Sequence, residues 1–179
     1  MVCHIKKGDE VASLRGTLQD HPAPLVWAWR LMAWTLARVR PLVERLGVAR
    51  ASRWLYWLEV PFKRLVFDCR DCGQCILHYT GMTCPMTCPK QLRNGPCGGV
   101  RPDGSCEVYP DRDCVWVKAW ERAERTPYAA ERLRINPPVD WRLQGVSSWV
   151  THAVGRDQVA TSGEQAPRYA TVLEPEAEA

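Results

Sequence analysis

The segment Cys69-Arg70-Asp71-Cys72-Gly73-Gln74-Cys75 decides how this chain folds, because it places three sulfur atoms on one tight turn. Gly73 supplies a left-handed backbone conformation that other residues resist. The cysteines that follow are Cys84, Cys88, Cys97, Cys106 and Cys114. Eight thiolates in so short a stretch would repel one another unless metal cations neutralised them. The spacing therefore predicts that all eight bind metal, and two four-sulfur sites use them without remainder.

The identity of the metal is less well defined than its ligands. Three cysteines at two-residue spacings, completed by a distant cysteine before a proline, are typical of iron–sulfur ligation. Both Cys84-Pro85 and Cys88-Pro89 offer that ending, so the fourth ligand is ambiguous. Paired two-residue spacings also suit tetrahedral zinc. We expect an iron–sulfur cluster, of the 4Fe-4S type, in at least one site, with zinc as the alternative in the other or in both.

The cellular compartment bears on the alternatives to metal binding. The N-terminal residues Met1-Val2-Cys3-His4-Ile5 continue into Lys6-Lys7 and include no apolar signal core. The longest apolar candidate is interrupted by Arg30, Arg38 and Arg40, which leaves no stretch able to span a bilayer. We therefore predict a cytoplasmic, reducing location, where clustered cysteines are more often metal ligands than disulfides. A disulfide framework and a thiol-based redox sensor remain the rival interpretations.

The chain has 179 residues, which is room for one small domain and its arms. We predict a mainly α fold with an irregular, cysteine-rich centre stapled by metal. The predicted parts are a flexible N-terminal arm (1–22), a Trp/Arg-rich amphipathic helical region (23–60), a cysteine-rich metal-binding domain with covering helices (61–154) and a disordered acidic tail (155–179). The cysteine region shows no helical or strand periodicity, so something other than hydrophobic packing should hold it.

Periodicity predicts a helix over 24–46, with a kink or a break at Pro41. Apolar residues at alternating spacings of four and three form its inward stripe: Leu25, Trp29, Met32, Leu36, Val39, Val43 and Leu46. A second helix over 49–60 should end before Pro61 and bury Trp54, Leu55 and Leu58. Shorter helices are predicted over 114–125, 126–134 and 141–154.

The opposite face of the first helix is aromatic and basic, with Trp27, Arg30, Trp34, Arg38 and Arg45. It could pack onto the rest of the domain, bind a partner subunit or adsorb to a membrane, and we favour packing. A membrane surface is not expected, since Trp residues lie on both faces. Nucleic acid is not expected either, because the cysteine region has as many acidic as basic side chains.

Two further residues are functional candidates. His78 could be a metal ligand, but with eight cysteines available we interpret it as an ordinary solvent-facing or hydrogen-bonded histidine. Glu107 could accept a hydrogen bond beside Cys106, although a surface carboxylate is the simpler interpretation. No paired carboxylates, nucleophile–base pair or phosphate-binding loop stands out, so we do not expect catalysis by this chain alone.

Four motifs together resemble the cysteine-rich C-terminal domain of methylenetetrahydrofolate reductases. They are Cys69–Cys75, Thr80–Lys90, Asn94-Gly95-Pro96-Cys97-Gly98-Gly99 and the segment from Gly104-Ser105-Cys106 to Cys114-Val115-Trp116. The chain is also similar to the small subunit that accompanies the reductase in acetogens, where that domain carries iron–sulfur and zinc centres and feeds electrons toward a flavin.

The resemblance implies an accessory subunit of a folate one-carbon reductase. No βα alternation is present for a flavin barrel, so the flavin and folate sites would lie on a partner, a flavin-containing methylenetetrahydrofolate reductase subunit. The runner-up is a redox-inert zinc adapter that stabilises or positions the reductase.

Overall fold

The computed structural model describes residues 16–157, and helices supply all the regular structure of that part. Besides the helical residues 16–20, four α-helices, α1 (Pro22–Leu46), α2 (Val48–Phe67), α3 (Val115–Ala123) and α4 (Ser148–Ala153), are joined by irregular segments. Three short 3₁₀ helices cover Pro85–Thr87, Ala129–Leu133 and Trp141–Leu143. Within residues 16–157 the only β-type pairing is an isolated bridge between Ser105 and Asp113. The predicted mainly α class with an irregular, cysteine-rich centre is confirmed.

Helix α1 follows the predicted stripe over most of its length. Val26, Trp29, Leu36 and Val43 are buried on one side of it, because residues spaced by three and four lie on one face of a helix. Val39 and Leu46, predicted to point inward, are exposed instead. The predicted break at Pro41 is wrong, since the helix continues through this residue to Leu46.

Helix α2 runs past the point where the sequence predicted its end. It continues through Pro61 to Phe67, and the proline is exposed, so its ring does not enter the core. Proline costs the helix one backbone hydrogen bond, while Val66 and Phe67 bury their side chains in the turns that follow. Asp68, in the left-handed conformation at φ 52°, ends the helix.

The inward face of α2 is partly polar, which the sequence analysis did not predict. Trp54 and Leu58, predicted to be buried, are 78% and 70% exposed. Ser52, Glu59 and Lys63 are buried in their place. This is possible because buried polar groups are stable when they find hydrogen-bond partners, and α4 with the residue before it supplies those partners.

The buried segment Cys72–Met86 lies at the centre of the molecule, although it has almost no regular structure. Its apolar side chains pack in one core with residues from α1 and α2. The expectation that hydrophobic packing does not hold the cysteine region is therefore wrong for this half. The members of this core are Val26, Trp29, Val66, Phe67, Cys72, Leu77, Met82, Cys84 and Met86.

The second half of the cysteine region, residues 87–113, buries far fewer of its side chains than the first half. Its only buried residues are Arg93 and Ser105, both polar. Helix α3 borders it, with Trp116 donating from Nε1 to the carbonyl of Leu92 at 3.0 Å. The partly buried Leu92 and Val100 of this half pack against an apolar cluster of Cys114, Trp116 and Ala119. Burial of apolar side chains thus contributes less to this half than to the first.

The two predicted terminal arms fall largely outside the described residues, namely 1–15 and 158–179. The end of the N-terminal arm is helical over residues 16–20 and packs on the body of the protein. Gln19 donates to the carbonyl of Val66 at 2.9 Å, and Asp20 pairs with Arg122. No helix within residues 16–157 combines the length and the apolar character that crossing a bilayer requires.

Candidate metal centre

Four of the predicted ligands line one internal cavity of about 30 Å³, which we call the first cavity. Three of them follow α2 directly, and the fourth immediately precedes the 3₁₀ helix Pro85–Thr87. Val60, Ile76, Leu77, Met86 and Val146 contribute to its apolar wall. The four cysteines of the first cavity are Cys69, Cys72, Cys75 and Cys84.

The turn that carries the first three sulfurs has the strained backbone that the sequence predicted. Gly73 has φ +72°, and a Cβ at this position would lie 2.2 Å from the carbonyl oxygen of Leu143. Only glycine fits, because the left-handed conformation and the close backbone approach both exclude a side chain. The amide of Asp71 donates to the sulfur of Cys69 at 3.4 Å, which helps to stabilise negative charge there.

The other four predicted ligands line a second cavity of about 20 Å³, which we call the second cavity. They come from separate places in the loops, and backbone hydrogen bonds hold two of them. The amide of Cys106 donates to the carbonyl of Arg112 at 2.8 Å, and that of Cys114 to the carbonyl of Gly104 at 2.9 Å. The four cysteines of the second cavity are Cys88, Cys97, Cys106 and Cys114.

One turn of 3₁₀ helix separates the two sets. Cys84 precedes Pro85–Thr87 and Cys88 follows it, so the two sulfurs enter different cavities. The sequence left open which Cys-Pro pair completes the first triplet. The structure places Cys84, and not Cys88, in the cavity of Cys69, Cys72 and Cys75.

The thiols of the first cavity are close enough to affect one another's titration. Burial raises the pKa of Cys69, Cys72 and Cys84, and each is raised further by charge on neighbouring cysteines of the same set. For Cys84 the pKa reaches about 12. Without a cation these thiols therefore stay protonated at neutral pH, and a metal ion that binds must displace protons.

Buried polar atoms without a hydrogen-bond partner show whether the first cavity suits a metal centre. Nε and Nη2 of Arg93 and Nε2 of Gln74 are buried donors without a hydrogen-bond partner, and Oδ1 of Asp71 is a buried acceptor without one; all three residues line this cavity. Buried donors are normally satisfied, so the cavity suits an anionic acceptor such as metal-bound thiolate. Among residues 16–157, no three His, Cys, Asp or Glu side chains are already arranged to hold a metal ion. All eight described cysteines are free thiols.

The asparagine of the Asn94-Gly95-Pro96-Cys97-Gly98-Gly99 motif anchors the loop between the cavities. Its side chain donates to the carbonyl of Asn136 at 2.9 Å and accepts from the amide of Asn136 at 2.7 Å. Asn136 in turn donates to the carbonyl of Arg93 at 3.3 Å. The motif therefore fixes both Cys97 at one cavity and the neighbouring Arg93 at the other.

The two further candidates of the sequence analysis have different outcomes. His78 is neither solvent-facing nor at a cysteine cavity: it is buried and stacks on Trp29 with 4.5 Å between ring centroids. Burial lowers its pKa to about 3, so the ring is neutral at physiological pH. Glu107 lines the second cavity and pairs with Lys90, so it is more than a plain surface carboxylate.

Two functional candidates were missed at the sequence level. Lys63 and Arg93 both line the first cavity, with 4% and 6% of their surface exposed. Lys63 and Glu59 look in the sequence like an ordinary surface pair, four residues apart on a helix. Arg93 adjoins a recognisable motif, but the sequence does not show which way it points.

Substitution of Cys84 and of Cys88 should affect different centres. We expect Cys84→Ser to lose the metal of the first cavity and Cys88→Ser that of the second, because each leaves three sulfurs in its own set. Metal analysis of the two anaerobically purified variants checks this. Visible spectra of protein in which cobalt replaces zinc report separately on the second centre. If both substitutions remove the same centre, the division of the eight sulfurs into these two sets is wrong.

Removal of bound metal should unfold the two halves of the cysteine region unequally. After chelation under reducing conditions, residues 88–113 should gain amide hydrogen exchange by at least about tenfold, because their apolar packing is limited to the partly buried Leu92 and Val100. Residues 76–86 should keep most of their protection, since they belong to the apolar core. Hydrogen exchange read by mass spectrometry compares both segments in one sample. Equal protection of 88–113 with and without metal would show that metal does not hold this half.

A comparison with protein families matches residues 49–142 to the family described as methylene-tetrahydrofolate reductase C terminal. All eight clustered cysteines lie inside the matched region, while α1 lies outside it. The comparisons with curated proteins and with solved structures gave no match. The matched region is more than half of the chain and contains both cysteine cavities. The chain therefore belongs to the methylene-tetrahydrofolate reductase C-terminal family.

Proposed function

We propose that this chain is a metal-binding accessory subunit of a methylenetetrahydrofolate reductase system, acting in the cytoplasm with a partner that carries the flavin and the folate site. Membership of the family supports the association with the reductase. The observation that carries the metal-binding role is the division of eight free cysteines into two cavities of four. Four sulfurs are the full ligand set of either a cubane iron–sulfur cluster or a structural zinc ion.

The first cavity is the better candidate for an iron–sulfur cluster. Cys69, Cys72, Cys75 and Cys84 would hold it, and a bound cluster of the 4Fe-4S type would supply one-electron transfer. The surrounding apolar side chains exclude water, and buried cations offset the charge of the thiolates. Low solvent access and nearby positive charge are among the features by which proteins tune such centres.

The second cavity is the better candidate for a structural zinc ion. Cys88, Cys97, Cys106 and Cys114 come from loops that do not bury an apolar core of their own. A tetrahedral zinc ion joins separate loops and contributes directly to folding. We assign it no part in electron transfer.

A surface beside the first cavity would receive the flavin-containing subunit. One face of α2 exposes Trp54, Trp57, Leu58 and Leu65, each at least 60% accessible. Leu65 also borders a surface depression that contains Cys69. Large exposed apolar faces mark interaction sites, and Trp is favoured at the centre of interfaces. A subunit bound to this α2 face would lie next to Cys69, which belongs to the first cavity and also borders this depression.

Metal and redox analysis separates electron relay from the alternative of a redox-inert zinc adapter. We expect anaerobically purified protein to be brown, to hold iron, inorganic sulfide and zinc, and to lose its broad visible absorbance on reduction with dithionite. Colourless protein with about two zinc ions per chain would instead establish the adapter. Reversible disulfides without firmly bound metal would contradict both and favour a thiol-based sensor.

Substitution on the α2 face should weaken the complex with the reductase. For Trp57→Ala we expect affinity for the flavin-containing methylenetetrahydrofolate reductase of the same organism to fall by a factor on the order of 30 or more, as for a buried interface Trp. Isothermal titration calorimetry with the purified reductase measures the change. Ile135→Ala, at a site 85% exposed on another part of the molecule, is the matched control. Equal affinities of the wild type and Trp57→Ala for the reductase would show that this face is not part of the interface.

A further inference from the structure

The two cysteine cavities differ in how deeply their charged side chains are buried. The first is lined by two buried cationic side chains, Lys63 and Arg93, together with the carboxylates of Glu59 and Asp71. Among the described residues that line the second, the one cation is Lys90, which is 41% exposed and paired with Glu107. Charge in a buried site acts through a lower effective dielectric than charge at the surface, where water screens it. Each cation of the first cavity therefore acts more strongly on its surroundings than Lys90 does, although carboxylates accompany the cations at both cavities.

Lys63 is fixed in place by a buried network between α2 and α4. Its ammonium group donates to Oε1 of Glu59 at 2.7 Å and to Oγ of Ser148 at 2.5 Å. The Glu59 carboxylate also accepts from Oγ of Ser147 at 2.5 Å and from the amides of Ser148 and Trp149 at 3.2 and 3.3 Å. This network holds the ammonium group of Lys63 at the wall of the first cavity.

Arg93 reaches the same cavity from the loop before the Asn94 motif. Its Nη1 donates to the carbonyl of Gln74 at 3.1 Å and lies 4.0 Å from the sulfur of Cys72. Nε and Nη2 are buried and have no acceptor. An unsatisfied buried donor costs about 1–3 kcal/mol or more. A guanidinium group held in this way is therefore suited to an anionic centre beside it.

We propose that Lys63 and Arg93 are positioning residues that stabilise the reduced state of the centre in the first cavity, and so make that centre the site of electron transfer. The inference rests on the proposed function. Dithionite, through its one-electron radical anion, gives one electron to the centre and is itself oxidised by one electron, so the net charge of the centre becomes more negative by one. A fixed buried cation stabilises the more negative state. The second cavity offers no equivalent charge.

The test is a potentiometric titration of the anaerobically purified protein with dithionite, followed by visible absorbance and electron paramagnetic resonance. In Lys63→Met, which keeps much of the stem but removes the charge, we expect the affinity of the centre for an electron to fall by a factor on the order of ten, which is about 59 mV more negative for one electron. Arg93→Met should act in the same direction. Lys90→Met, beside the second cavity, should leave the potential unchanged.

Variants that keep the positive charge distinguish the effect of losing charge from the effect of misfolding. If the methionine variants lose the cluster, we expect Lys63→Arg and Arg93→Lys to retain it at close to the wild-type potential, which supports the requirement for charge. Loss of the cluster from all four variants would overturn the inference, because side-chain shape would then hold the centre. An unchanged potential in both methionine variants would also overturn it. Wild-type protein that holds only zinc would instead refute the proposed electron relay itself.

Discussion

Residues 87–113 contain three cysteines and no fully buried apolar side chain, and this shortage is the constraint on which the structure depends. A chain segment must recover the entropy lost on ordering, and in this segment neither a core nor regular secondary structure does so. Sulfur coordination to a metal ion can supply that free energy. The first half of the cysteine region is different, because Cys72–Met86 is buried against α1 and α2. We therefore expect the two halves to depend on metal to different extents.

The same division connects the fold to the proposed chemistry. A single turn, Pro85–Thr87, directs Cys84 and Cys88 into separate cavities, and so divides the sulfurs into two sets of four. The first set lies in a largely apolar interior that also contains two buried cations, beside the exposed face of α2. The second set links loops near the surface. One chain can in this way combine a centre suited to electron transfer with a centre suited to holding shape.

Much of the fold and of the candidate site could be predicted from the sequence, and the predictions that failed did so for physical reasons. The α1 stripe was predicted because Trp29, Leu36 and others recur at helical spacing. The spacing of the eight cysteines also predicted two sets of four, and four of them line each cavity. The polar residues on the inward face of α2 were not predicted, because Glu59 and Lys63 are charged. Their burial depends on Ser147 and Ser148, almost ninety residues later in the chain. The choice between Cys84 and Cys88 depends on the path of one turn, which the spacing leaves undetermined.

Anomalous X-ray diffraction from crystals of anaerobically purified protein, recorded at the iron and zinc absorption edges, tests the central claim most directly. Two separate anomalous peaks are expected, one among Cys69, Cys72, Cys75 and Cys84 and the other among Cys88, Cys97, Cys106 and Cys114, with iron at the first. A folded protein without a peak at either edge would contradict metal coordination by these cysteines, and a single peak shared between the two sets would contradict their division.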